Sequence, residues 1–374
     1  MVAYTILHTE SSTGWGGQEI RVLTESAGMI RRGHKVLLAC QPNSIIARRA
    51  SDYGIKTIII RMNGAFDIVG ITRLRALMLK EKVNIVNTHS SKDSWCAGLA
   101  AKLAGSVKIV RSRHLSIPIK RSFESRLLYN TIPDAIVTTG KAIREHIIEQ
   151  IGVSPEKVVS IPTGIDLGLF DPSRADRMRF RKELGLTDDT PLVGTVAMLR
   201  RMKGLEYFVE AAKIVLATLP KAHFVIVGDV AFKSSIKERL TAQIRSLGIL
   251  DKVTMVGYRE DIPDVMAALD VFVLASVEHE GVPQVISQAL AMEKPVVATD
   301  TGSIREQIIH GETGYLVDKA NPQQLAAAVL MAFEDANKSQ EMGRNGRRLV
   351  EKYFSLDSML DATEALYSRL LLNT

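Results

Sequence analysis

Short runs of apolar and β-branched residues alternate along this chain with longer stretches whose apolar positions recur every three or four residues. Up to Pro162 the short runs are AYTIL, KVLLA, KTIII, NIVNT, KIVRS, AIVTT and VVSIP. Their nearly continuous apolar character reads as strands buried on both faces. Segments of helical length lie between most of them, over 18–32, 71–81, 93–103 and 141–150. The pattern pauses over 162–192, where Pro, Gly and Asp break structure and RMRFRKELG reads as one short helix. It resumes with LVGTVAM, HFVIVG, KVTMVG, VFVLAS, PVVATD and GYLV, separated by helices such as 205–219, 235–247 and 322–334. The final LVEKYFSLDSMLDATEALYSRLLL is helical by its spacing. Regular β-then-α order predicts parallel sheets covered by helices on both faces. The expectation is an α/β protein of two doubly wound domains joined near 163–190, with a deep cleft if the two sheets face each other.

Composition narrows the class. A chain of 374 residues is comfortable for two domains, and 46% hydrophobic with 24% charged residues is globular. No apolar run reaches 18 residues, so no membrane-spanning helix is expected. The opening MVAYTILHTESS lacks the basic and long apolar stretches of a secretory leader and reads as a first buried strand. Cys40 and Cys96 form no CxxC, which fits a reduced cytosolic compartment. The eight histidines form no HxxxH or His/Cys cluster, so no protein-held metal is expected. Charge is uneven: residues 1–169 carry 23 Lys+Arg and 13 Asp+Glu, a balance of +10, and the remainder carries −3. A basic half suggests an anionic partner, such as a phospholipid surface or nucleic acid.

Open parallel sheets bind ligands at the carboxyl ends of their strands, so the loops there are the candidates. TGWGGQE follows the first strand. Gly14, Gly16 and Gly17 let the backbone approach a ligand, and the next helix start could meet a phosphate or sugar hydroxyl. It is not GxGxxG, and no ribose-binding acid ends the second strand, which weighs against a nicotinamide enzyme. MLRRMKGLEYF groups Arg200, Arg201 and Lys203 beside a helix opening at Gly204. Cations there oppose the helix dipole unless an anion is bound, as at a diphosphate site. In SVEHEGVPQVISQAL, Glu280 supplies a carboxylate, and Gly281, Val282, Pro283 and Gln284 lead into a helix that carries Gln288. TDTGSIRE places Gly302 and Ser303 before a further expected helix, which Ser303 and Glu306 could cap. His89 and His114 stand at strand ends, where an imidazole can position a substrate.

In order and spacing these loops resemble the retaining nucleotide-sugar glycosyltransferases of family 4, which have the GT-B fold of two Rossmann-like domains facing across a cleft. The markers are the Gly14–Gly17 loop, IPTGID, LRRMKG, VIVGD, VTMVGY and EGVPQVISQALAMEKPVVATDTGSIRE. The resemblance implies an acceptor-side domain over 1–168, joined by a helix returning over 355–374, and a donor-binding domain over 169–354. It implies that Lys203, with an Arg such as Arg200, neutralises the leaving diphosphate without a metal. Glu280 and the backbone of Gly281–Pro283 would hold donor-sugar hydroxyls, position 288 the ribose hydroxyls, and His114 and the glycine loop the reacting sugar and acceptor. Closure of the cleft would assemble the site.

Two positions depart from the family pattern. Met198 stands where relatives usually carry Arg, five residues before the Lys, and Gln288 stands where they usually carry Glu. Gln offers one acceptor and one donor where a carboxylate accepts twice, a cost on the order of 1–2 kcal/mol. For the acceptor side, residues 107–130 mix Arg111, Arg113, Lys120, Arg121 and Arg126 with apolar residues such as Ile117 and Phe123. That mixture, with His89, suggests contact with a lipid-linked acceptor or an anionic membrane surface. The resulting expectation is a bacterial cell-envelope glycosyltransferase, cytoplasmic and peripheral to the inner face of the cytoplasmic membrane, using a UDP- or GDP-sugar on a lipopolysaccharide-like glycan. The rivals are a nucleotide-sugar epimerase of the same architecture, a non-catalytic nucleotide-sugar-binding relative, and a nucleic-acid binder. The last lacks any recognition-helix or stacking motif.

Overall fold

The computed structural model describes residues 2–114, 116–230, 235–278 and 280–372. Its chain forms two compact units, Met1–Gly164 with Leu356–Thr374, and Ile165–Ser355. The first is built on a seven-stranded sheet: β1 Thr5–Glu10, β2 Lys35–Cys40, β3 Lys56–Ile59, β4 Ile85–Thr88, β5 Lys108–Arg113, β6 Ala135–Thr138 and β7 Val158–Ser160, in the order β3-β2-β1-β4-β5-β6-β7. The second has six: β8 Leu192–Val196, β9 His223–Val227, β10 Val253–Gly257, β11 Val271–Leu274, β12 Val296–Thr299 and β13 Gly314–Val317, in the order β10-β9-β8-β11-β12-β13. Every ladder is parallel. These are the doubly wound, Rossmann-like sheets expected, and all thirteen strands fall on the apolar runs. β4, β6, β11 and β12 are buried at every position, as helices on both faces require.

Several helices start where short polar side chains accept from free amides. Asp176 caps Arg177–Glu183, Asn321 caps Pro322–Glu334, and Ser90 and Asp93 form a reciprocal capping box on Ser91–Ala104. The C-terminal helical stretch is two helices, Ala336–Tyr353 and Leu356–Leu372. The second lies on Gly17–Arg31, where Leu360 sits so close that a Cβ at Gly28 would be 2.5 Å from it. Leu356, Met359, Leu360 and Tyr367 share one core cluster with Ile6, Val36 and Ile85 of the sheet.

Of residues 163–190, read as the joint, 165–190 are built into the second unit. Arg181 is fully buried, donates to the Ala268 carbonyl at 2.9 Å and pairs with Asp270 at 2.8 Å. The chain enters and leaves this unit side by side, with Ile165 N–H donating to the Phe354 carbonyl at 2.8 Å.

Among the described residues, 107–130 comprise strand β5, a stretch without regular structure, and a short helix over Phe123–Arg126 that runs on as a π-helical turn over Leu127–Thr131. No helix follows Ser303. A single tight turn, Ile304–Glu306, stands there, and the Ser303 hydroxyl, buried and without a partner, caps nothing.

Candidate active site

In each sheet the strand order reverses once beside the first strand, between β1 and β4 and between β8 and β11. Loops diverge at that point and leave a crevice at the carboxyl ends of the strands.

In the second unit the two crevice loops are tied together. Val277 N–H donates to the Met202 carbonyl at 2.8 Å. Gly204 has φ +56°, and a Cβ there would lie 2.1 Å from the Ala275 carbonyl oxygen, so only glycine fits. This holds Lys203 over the β11 loop, where its ammonium is ion-paired with Glu280 Oε1. The Ser276 hydroxyl donates to the same oxygen at 2.5 Å. The pair is largely buried, with side chains 18% and 7% exposed. A third loop closes on it: Gly302, at φ +57°, passes so close to the Glu280 carbonyl that a Cβ would come within 1.9 Å.

Val282 and Pro283 are buried, and Pro283 precedes the helix Gln284–Ala291, whose first turn has no side-chain cap. In that first turn the Ile286 N–H donates to the Pro283 carbonyl at 3.2 Å. Gln307, unmarked by the sequence reading, braces that start by donating to the Pro283 carbonyl at 3.0 Å and the Ser287 hydroxyl at 2.6 Å. Gln288 is half-buried within the helix, with no hydrogen bond on its side chain among the described residues. Arg200 and Arg201 are exposed, and neither has a carboxylate partner there. Lys203 is thus the engaged cation and the two arginines are the open ones.

The first unit collects its polar groups more deeply. His8 on β1, His89 after β4 and His114 after β5 form a chain, His8 Nδ1 to His89 Nε2 at 2.9 Å and His89 Nδ1 to His114 Nε2 at 3.0 Å. Burial lowers the pKa of all three, helped by the Arg21 charge, so they stay neutral near pH 7. Behind them Tyr367 of the returning helix accepts from Asn87 at 3.0 Å, beside the buried Arg21–Glu25 pair. Glu10, at the end of β1, accepts from the Ser90 hydroxyl and the Gln18 amide, each at 2.6 Å. Burial, with Asp93 close by, pushes its pKa up to about 8. Gly14, Gly16 and Gly17 all lack a left-handed φ, so no backbone strain demands glycine in that loop.

Arg111, expected on an acceptor or membrane face, is only 4% exposed. Its position on β5 turns it inward onto the Tyr129 ring, 4.3 Å from the centroid, so it cannot rest on a membrane. Arg113 is half-buried, and Lys120 and Arg121 are exposed.

Two family models match the chain: Glycosyltransferase Family 4 over residues 15–169 and Glycosyl transferases group 1 over 176–349. The chain is 27% identical over 317 residues to the UDP-Gal:alpha-D-GlcNAc-diphosphoundecaprenol alpha-1,3-galactosyltransferase of Escherichia coli, covering 82% of this chain and 81% of that one. It is 30% identical over 215 residues to the lipopolysaccharide core biosynthesis mannosyltransferase LpsB of Rhizobium meliloti, 56% of this chain and 60% of that enzyme. Among solved structures, Anabaena HepE in complex with UDP superposes with a TM-score of 0.87 at 22% identity, over 98% of this chain and 100% of the other. That likeness bears on the fold.

Proposed function

The chain belongs to the family 4 glycosyltransferases of GT-B fold, and from that membership we propose that it moves a sugar from a UDP-sugar, with retention of configuration, to a lipid-linked or lipopolysaccharide-type glycan of the bacterial cell envelope. The carrying observation is the Lys203–Glu280 pair beside the uncapped start of Gln284–Ala291. In this reading the donor diphosphate lies against Lys203 and the open Arg200, which meet the charge that grows on the leaving group. Glu280, released from Lys203 as the diphosphate takes the ammonium, accepts from donor-sugar hydroxyls. Gln288 holds the ribose with one acceptor and one donor. No side chain is assigned as a nucleophile, and the acceptor attacks on the face the diphosphate leaves.

UDP is favoured because the Escherichia coli relative is named for a UDP-sugar and HepE binds UDP. The acceptor class follows the printed names of the Escherichia coli and Rhizobium relatives. The acceptor is assigned to the first unit, near His114 and His89. No helix among the described residues is long and apolar enough to cross a membrane. Attachment to the inner membrane face is therefore assigned to exposed Lys120 and Arg121, with Phe123 and Ile117, which are 75% and 45% exposed.

Thermal unfolding against UDP, GDP, ADP and CMP tests the donor reading. A ligand at about 100 times its Kd adds about 2.7 kcal/mol. The expected result is a shift with UDP that Lys203→Ala abolishes. No shift with any nucleotide would sink it. Conversion of a UDP-sugar without acceptor would point to an epimerase. Co-sedimentation with vesicles of anionic lipid, weakened by Lys120→Glu with Arg121→Glu, tests the membrane assignment, and equal binding by that variant would overturn it.

A further inference from the structure

In the first unit a pocket of about 160 Å³ opens at the ends of β4 and β5, bounded by Gln18, Ser90, Arg111, Ser112, Arg113 and His114. Arg111 is buried there, yet its guanidinium meets no carboxylate among the described residues. Nη2 donates to the Tyr129 hydroxyl at 3.2 Å, while Nε and Nη1 have neither a hydrogen-bond partner nor contact with solvent. Arg113 lies two residues on, hence on the same face of β5. It donates once, to the Ile117 carbonyl at 2.7 Å, and no carboxylate pairs with it among the described residues either. Two cations thus share one small space.

The acids that could answer them are engaged elsewhere. Asp93 accepts from the hydroxyls of Thr9 and Ser11 and from the amides of His89 and Ser90. Glu10 holds its proton near pH 7, and the neighbouring imidazoles are neutral. Ser112 and Ser90 direct their hydroxyls to Asn87 and Glu10. Asp93 lies near enough for the Arg111 charge to act on its carboxyl but makes no hydrogen bond to it, and a buried guanidinium left short of hydrogen-bond partners is costly. Such an arrangement is retained where a ligand supplies the missing acceptors. Arg111 and Arg113 both line the pocket.

We propose that this pocket is an oxyanion site, in which Arg111 and Arg113 take a phosphate ester or carboxylate of the acceptor substrate. Only the word acceptor rests on the transferase reading; the site itself rests on the two arginines. The chemistry selects an anionic acceptor over a neutral glycan, and the neutral His114 beside it is free to orient a hydroxyl of the same molecule.

Full-length protein labelled with 13C-histidine is titrated at pH 7.5 with inorganic phosphate and, separately, with acetate. The His114 signal is identified by its loss in His114→Gln, and His223 and His310 of the second unit serve as references. The expected result is a saturable shift of His114 with at least one probe, weakened about tenfold by Arg113→Gln and lost in Arg111→Met. A response to phosphate alone assigns a phosphate ester, and to acetate alone a carboxylate. No saturable shift with either, or the same Kd in the variants, overturns the site. Should Arg111→Met fail to fold, the half-buried Arg113→Gln decides. A phosphate or acetate response without any UDP-induced stabilisation would sink the donor reading and leave the pocket standing; the converse would sink the pocket alone.

Discussion

At the crevice of the second unit Lys203 already holds a carboxylate; at that of the first, Arg111 holds none. Both stand at the ends of central parallel strands, where strand order reverses close by. The second unit balances its charge internally and keeps its spare cations, Arg200 and Arg201, exposed. The first buries cations and neutralises its own acid and imidazoles instead. On the proposed readings, one topology thus yields a site that exchanges a partner on binding and another that is short of partners until it binds. The first arrangement suits a charged group that must be accepted and then released. The second suits a group held while chemistry proceeds elsewhere.

The largest expected break in this comparison is Lys203→Ala. Loss of the engaged cation lowers turnover on the order of 10²–10³-fold in a sugar-transfer assay with UDP-sugar and a glycan acceptor, whereas His114→Gln acts on the acceptor KM. Gly302→Ala comes next. A Cβ at φ +57° pressed on the Glu280 carbonyl destabilises the protein on the order of 3 kcal/mol, read as a lower urea midpoint.

The pH dependence of the first unit sharpens the contrast further. Glu10 has its pKa raised from 4.5 to about 8, so the folded state binds the extra proton and its contribution to stability falls as pH rises through that window. His8, His89 and His114 have lowered pKa values, so their contribution is lost as pH falls below about 6.5. Glu10→Gln should therefore flatten the loss on the alkaline side and leave the acid-side loss in place, measured as urea midpoints at pH 5.5, 7 and 8.5. The smallest effect is Gln288→Glu. Restoring two acceptors tightens UDP by about tenfold, corresponding to the 1–2 kcal/mol of a hydrogen bond. Unchanged affinity would remove Gln288 from the ribose.

The strands were legible because a sheet covered on both faces needs unbroken apolar runs, and KVLLA or VFVLAS can satisfy little else. Lys203 and Glu280 could be named as candidates because each follows such a run within one loop. The histidine chain was not. His8 and His89 are 81 residues apart and His89 and His114 are 25; only the order β1-β4-β5 aligns them. His8 itself sits inside a strand, and a polar residue within TILHTE was the one available hint. The inward turn of Arg111 was hidden for a related reason. Composition marks residues 107–130 as basic, but the side chain's face depends on the register of β5 against β4, where Arg111 stands opposite Thr88. Gln307 was invisible because its role is to brace a helix start 20 residues earlier in the chain.

The helix Leu356–Leu372 completes the core of the first unit although it follows the whole second unit in the chain. During synthesis the second unit can close as soon as Ser355 has left the ribosome, while the first, begun earlier, still exposes the faces of Ile6, Val36 and Ile85. The unit whose strands come earlier therefore closes after the other, and the tyrosine that joins its polar cluster, Tyr367, arrives only with Leu356–Leu372. A chain cut short after Ser355 would carry a finished second unit tethered to an open, aggregation-prone first one.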